Sequence, residues 1–244
     1  DPLQRAALAT QFVQDEVSYL MNGLDGGNYI PQSPTETWEA RTGDCKAKSM
    51  LLLAMLRELD VSAEAVLVNS QTGDALPELL PALGNFDHMI VRADIGGETY
   101  WLDGTNGGLR LANIDEVPRF RYALPVREGG AGLQEMAMRP QTLPDDDIRL
   151  TIDQSAGIDL PAIYEIEWRV SGAAARSYQA VALLEDTDLR NQRIEGTIGN
   201  LLGQNRPTNV DVTYDEASGI AVLTGRGLID SPWVWENGRM ELEV

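Results

Sequence analysis

The chain has 244 residues, 43% of them hydrophobic, a formal net charge of -19 and a sequence pI near 4.3. That length supports one large or two ordinary domains with a core that needs no help from disulfide or metal. The acidity excludes a polynucleotide partner, because binding a phosphate backbone requires clustered Lys and Arg, and no apolar run approaches the roughly 20 residues of a spanning helix. A single cysteine and a single histidine rule out a disulfide framework and every His-rich zinc scheme. The chain opens on Asp1-Pro2 with neither an initiator Met nor a basic-then-apolar leader, and it reads as an excised or processed segment of a longer protein.

In chain order, Leu3, Ala7, Leu8, Phe12, Val13 and Val17 follow helical spacing and predict a helix over 3–20. Residues 21–34 carry Asn22-Gly23, Gly26-Gly27, Pro31 and Pro34 and predict a loop long enough to be functional. Residues 44–59 predict a helix that is apolar almost all round and therefore buried on most sides, with Asp44 as its N-cap and Cys45 in its first turn. Strands are expected over 61–68, 86–93 and 98–103, the last two joined across Gly96-Gly97. Helix followed by strands gives an α+β domain.

Residues 125–147 are rich in Gly, Pro and charge and are read as the interdomain connection, which sets domains of 1–140 and 141–244. The second half predicts strands over 148–152, 162–170, 210–214 and 220–225, around one helical stretch over 173–202 and a turn over 215–219. Asp145-Asp146-Asp147 fits no calcium-loop spacing and belongs to the linker.

Most free cysteines are small buried hydrophobes, but Cys45 enters its helix between Gly43-Asp44 and Lys46, a polar stretch that reaches the surface. There the helix dipole and unpaired N–H groups favour a thiolate and offer donors to an oxyanion. His88 shares a strand face with Phe86, Ile90 and Arg92. A two-residue turn at Gly96-Gly97 puts residue 105 opposite His88 and Asp103 on the same face, about 7–8 Å away at the backbone, within reach of a His–Asp pair. Such a carboxylate fixes the imidazole tautomer and leaves the other ring nitrogen for a thiol.

The segments Arg41-Thr42-Gly43-Asp44-Cys45-Lys46, Phe86-Asp87-His88 and Tyr100-Trp101-Leu102-Asp103-Gly104-Thr105 resemble, in order, the three motifs of the transglutaminase-like superfamily, and in particular its bacterial branch with a Gly-Asp-Cys-Lys signature. The resemblance covers residues 1 to about 125. It implies a papain-type, cysteine-proteinase fold followed by a smaller β-rich α+β domain, with Cys45 as nucleophile, His88 as base and Asp103 as its orienting carboxylate. It further implies peptide or amide hydrolysis through a thioester, a peptide or protein substrate, no metal or cofactor, and a periplasmic or cell-envelope location. Tyr29 and Gln32, in the loop before the cysteine, are candidate oxyanion or substrate contacts, and Trp38 and Trp101 are candidate cleft walls. The competing expectation is a catalytically silent binding or assembly module that retains the three residues.

Overall fold

The structure, a computed structural model, describes residues 1–20, 30–203, 205–231, 233–236 and 238–242. The fold is mixed α+β, and the chain divides into two compact units, Asp1–Leu143 and Pro144–Val244.

The first unit runs α1 (Pro2–Glu16), β1 (Ser18–Tyr19), α2 (Pro34–Ala40), β2 (Thr42–Gly43), α3 (Cys45–Glu58), β3 (Ser62–Val68), β4 (His88–Ile95), β5 (Glu98–Leu102), β6 (Tyr122–Pro125) and β7 (Gln134–Glu135). The last five strands form one antiparallel sheet in the order β5-β4-β3-β6-β7. Period-two alternation along β4 gives the sheet two buried faces. Met89, Val91 and Ala93 pack with Leu51, Leu52 and Leu56 of α3 and with Ala6, Ala9 and Val13 of α1, while Ile90 joins Val66, Val68, Trp101 and Met136 on the other side. Gly96 and Gly97 both take positive φ, 63° and 89°, as a two-residue primed turn demands. The ladder then pairs Ile95 with Glu98 and Val91 with Leu102, the register expected of that turn.

Three expectations for this unit need correction. The first helix ends at Glu16 and not at residue 20: Val17 is extended, and Ser18-Tyr19 pair in parallel with Thr42-Gly43. The end of the expected loop over 21–34 is the start of α2, whose N-cap Ser33 and Glu36 form a reciprocal capping box with Pro34 at the first position; residues 21–29 of that loop lie outside the described residues. Residues 125–147 are not simply a connection, because β7 pairs with β6 and Met136 is fully buried in the first unit's core.

The second unit comprises β8 (Asp146–Asp153), β9 (Ala162–Val170), α4 (Gly172–Ala182), α5 (Thr187–Leu202), β10 (Asn205–Asp215), β11 (Ile220–Ile229), β12 (Trp233–Glu236) and β13 (Arg239–Leu242). Its main sheet is antiparallel, ordered β10-β11-β9-β8. The single helical stretch expected over 173–202 is two helices, because Asp186 caps a new N-terminus by accepting from the Leu189 N–H at 3.0 Å. No helix among the described residues is long and apolar enough to cross a membrane.

Candidate active site

The N-terminus of α3 is fixed from several directions. The Asp44 side chain accepts from the Ala47 N–H at 2.9 Å and also receives the Lys46 ammonium. Gly43 approaches the first turn so closely that a Cβ there would stand 2.6 Å from that of Ala47, so only glycine fits. Further along the helix, buried Ser49 donates to the Met89 carbonyl at 2.8 Å and locks α3 against β4 next to His88. Lys48, 1% exposed, donates to the Val17 carbonyl and ties the same helix to the end of α1.

This framework brings Cys45, His88 and Asp103 together. The Cys45 thiol lies close enough to the His88 side chain for each to shift the other's ionisation. His88 Nε2 lies 2.9 Å from Asp103 Oδ2, which leaves Nδ1 as the ring nitrogen available to the thiol. Asp103 is 4% exposed, and its carboxylate is saturated: Oδ1 accepts from the Thr105 N–H at 2.8 Å and the Thr105 hydroxyl at 2.7 Å, and Oδ2 also accepts from the Asn106 amide at 2.9 Å. Gln14 of α1 reaches over to donate to the Asp103 carbonyl at 2.7 Å and accepts from the Leu109 N–H at 3.0 Å. The Phe120 ring meets the imidazole edge-on, with centroids 5.5 Å apart.

The electrostatics follow from this packing. Burial pulls the His88 imidazolium toward losing its proton, yet hydrogen bonds to Asp103 and Cys45 and the charges of both outweigh that, and its pKa is pushed up to about 10. Burial pushes the Cys45 thiol up, but the hydrogen bond and charge of His88, with Lys46 and the Met89 N–H, bring it below its ordinary value. Burial likewise raises the Asp103 carboxyl, and His88 and Thr105 overcome it, so the carboxyl sits below its usual range. The balance favours a thiolate–imidazolium pair beside an ionised carboxylate.

A cleft of about 440 Å³ opens beside these groups, lined by Tyr19, Ser70, Asp87, His88, Thr105, Asn106 and Phe120. Asp87 shapes its rim by accepting from the N–H and hydroxyl of Ser70 at 2.7 and 2.8 Å. Tyr29 lies outside the described residues, and Gln32 is half-buried just ahead of α2. Trp38 stacks on Phe12 at 5.2 Å beneath the Arg41 guanidinium and does not line the cleft. Trp101 is 6% exposed in the core behind the site.

Sequence reasoning overlooked Tyr19, Gln14, Lys48 and Ser49. Tyr19 was hidden by reading the first helix too far, although the β-branched Val17 and aromatic Tyr19 at its end are strand formers. The other three are polar residues whose helical positions signal burial only when the neighbouring face is known.

No family model and no curated protein matches the chain. Among solved structures, it is similar to a candidate cysteine protease from Cytophaga hutchinsonii, with 22% identity and a TM-score of 0.31 over 41% of this chain and 30% of that one. It is also similar to a candidate protease from Parabacteroides distasonis, with 12% identity and a TM-score of 0.41 over 94% of this chain and 46% of that one. The chain therefore spans less than half the length of either structure.

Proposed function

We propose that the protein is a cysteine-dependent acyl-transfer enzyme of transglutaminase-like type that hydrolyses peptide or amide bonds through a thioester on Cys45. The observation that carries this reading is the 2.9 Å pair of His88 with buried Asp103, set beside the Cys45 thiol at the N-terminus of α3. The thiolate attacks the substrate carbonyl and the His88 imidazolium gives its proton to the departing amine. Neutral His88 then activates water, which cleaves the thioester and restores the thiol. Asp103 holds the ring in the tautomer that both steps need, and the saturation of its oxygens keeps it ionised throughout. The cycle uses these side chains, the substrate and water.

A second reading, a silent binding or assembly module, is favoured by one observation: Cys45 is only 8% exposed. Iodoacetamide labelling at neutral pH separates the two. Rapid labelling of Cys45 that is lost in His88→Ala supports the enzyme, whereas slow labelling indifferent to that substitution supports the binding module.

A further inference from the structure

We propose that the phenol of Tyr19 is the second hydrogen-bond donor of an oxyanion site whose first donor is the backbone N–H of Cys45. The proposal rests on the acyl-transfer reading above and assigns to that reaction a residue outside the Cys–His–Asp line.

The placement of Tyr19 is built, not incidental. Tyr19 pairs with Gly43 in the short parallel ladder, where the Ser18 N–H donates to the Arg41 carbonyl at 2.8 Å and the Leu20 N–H donates to the Gly43 carbonyl at 3.0 Å. The residue is thus held one rung from the segment that delivers Cys45. The buried ammonium of Lys48 fixes the approach to this ladder through the Val17 carbonyl. A buried ammonium is costly unless its protons are satisfied, so its use here marks the crossing as a specified feature. Tyr19 is 48% exposed and faces the same cleft as His88.

Tyr19 lines the cleft beside His88, and its ladder partner Gly43 precedes Cys45 by two residues, so the residue stands by the start of α3. That is the position a carbonyl oxygen must approach when its carbon bonds to Sγ: within reach of the Cys45 N–H at the start of α3, where helix N–H groups have no intrahelical partner. On attack, the sulfur lone pair forms the S–C bond and the carbonyl π pair moves to oxygen. The Cys45 N–H and the Tyr19 phenol each direct a proton to this oxyanion without transferring it. Collapse returns the pair to the carbonyl, breaks the C–N bond and sends the amine out with the proton from His88. Burial and the adjacent charges of Cys45 and Asp44 raise the phenol's pKa above its ordinary value, which keeps it a donor at neutral pH.

The test is Tyr19→Phe in the 244-residue chain, followed by two reactions of the same sulfur. Acylation by p-nitrophenyl acetate passes through an oxyanion; alkylation by iodoacetamide does not. The expected result is acylation slowed about 10²- to 10³-fold, the usual effect of losing one oxyanion donor, with alkylation within about threefold of the unmodified chain. Acylation within about threefold of the unmodified chain overturns the proposal, as does a parallel fall in both reactions, which would assign Tyr19 to positioning or activating the thiol. If the unmodified chain alkylates quickly but does not acylate, the acyl-transfer reading itself fails and the oxyanion site falls with it.

Discussion

The two compact units differ in what they bury. Among the described residues, the buried polar side chains Thr10, Gln14, Thr37, Asp44, Lys48, Ser49, Asp103, Arg110 and Asn113 all belong to the first unit, and Ser171 alone to the second. Leaving one such group unsatisfied costs about 1–3 kcal/mol, so each is tolerated only where a partner is fixed in place. Four of them hold the candidate site: Asp44 caps α3, Ser49 joins it to β4, Lys48 joins it to Val17, and Gln14 grips the Asp103 backbone. The second unit instead gathers Tyr164, Ile166, Ile194, Ile198, Val210, Val212 and Leu223 into an apolar core. Polar burial specifies positions and apolar burial specifies a shape, a contrast that agrees with the chemistry proposed for the first unit.

The sharpest way to break this comparison is to remove the reacting groups. Cys45→Ala should abolish both acylation by p-nitrophenyl acetate and alkylation by iodoacetamide; residual acylation would place the nucleophile elsewhere. His88→Ala should lower acylation about 10²- to 10⁴-fold and move the inflection of the alkylation–pH profile upward, toward the ordinary thiol value near about 8.5. In the unmodified chain, that profile should stay high through neutral pH and change again as His88 loses its proton near about 10. Stability follows the same group. Because folding raises the His88 pKa from 6.5 to about 10, its contribution is complete below pH 6.5 and disappears as pH rises through about 10. His88→Gln should flatten that alkaline decline in thermal midpoint, and an unchanged decline would mean the imidazolium is not stabilised by its neighbours.

A change of similar energy in the second unit should leave the chemistry alone. Leu223→Ala empties a fully buried position in that apolar core and should cost about 2–5 kcal/mol, read from denaturant unfolding, while the alkylation rate of Cys45 stays constant. A large loss of thiol reactivity would tie the site to the second unit's packing. Gln14→Ala should cost less, about 1–3 kcal/mol, because it strips the Asp103 carbonyl and the Leu109 N–H of their buried partner. Unlike Leu223→Ala, it should also slow acylation, since the loop carrying Asp103 loses its tether to α1.

The same contrast explains what could be seen in the sequence. The hairpin of β4 and β5 was legible because Gly96-Gly97 admits positive φ and so sets the register by local chemistry. The helix after Asp44 was legible because its cap and apolar run agree. Asp60, at φ 57°, turns the chain from Leu59 at the end of that helix to Val61 ahead of β3, a turn no periodicity announces. The short ladder of β1 and β2 is two residues long, too brief for any alternation, and it outcompetes helix continuation only because Arg41 and Gly43 offer carbonyls at the right place. Tyr19 was therefore invisible for a tertiary reason. Met136 was missed for another: a Gly-rich flank suggests a linker, whereas the residue fills the core between β6 and its neighbours.

The smallest predicted effect tests whether the second unit's edge is as free as it looks. Ile148, Leu150 and Ile152 of β8 pair with Trp168, Ile166 and Tyr164 and are 40%, 41% and 40% exposed, while α4 and α5 pack chiefly on β10 and β11. An exposed side chain on an edge strand contributes little, so Leu150→Lys should shift stability by no more than about 0.5 kcal/mol and leave thiol reactivity unchanged. The added charge also blunts the edge against strand pairing between molecules, so the sedimentation coefficient should not rise. A loss above about 2 kcal/mol, a magnitude typical of buried large-to-small changes, would mean that this stripe is covered in solution. In that case the second unit would hold more than a shape, and its division of labour with the first would have to be redrawn around whatever covers β8.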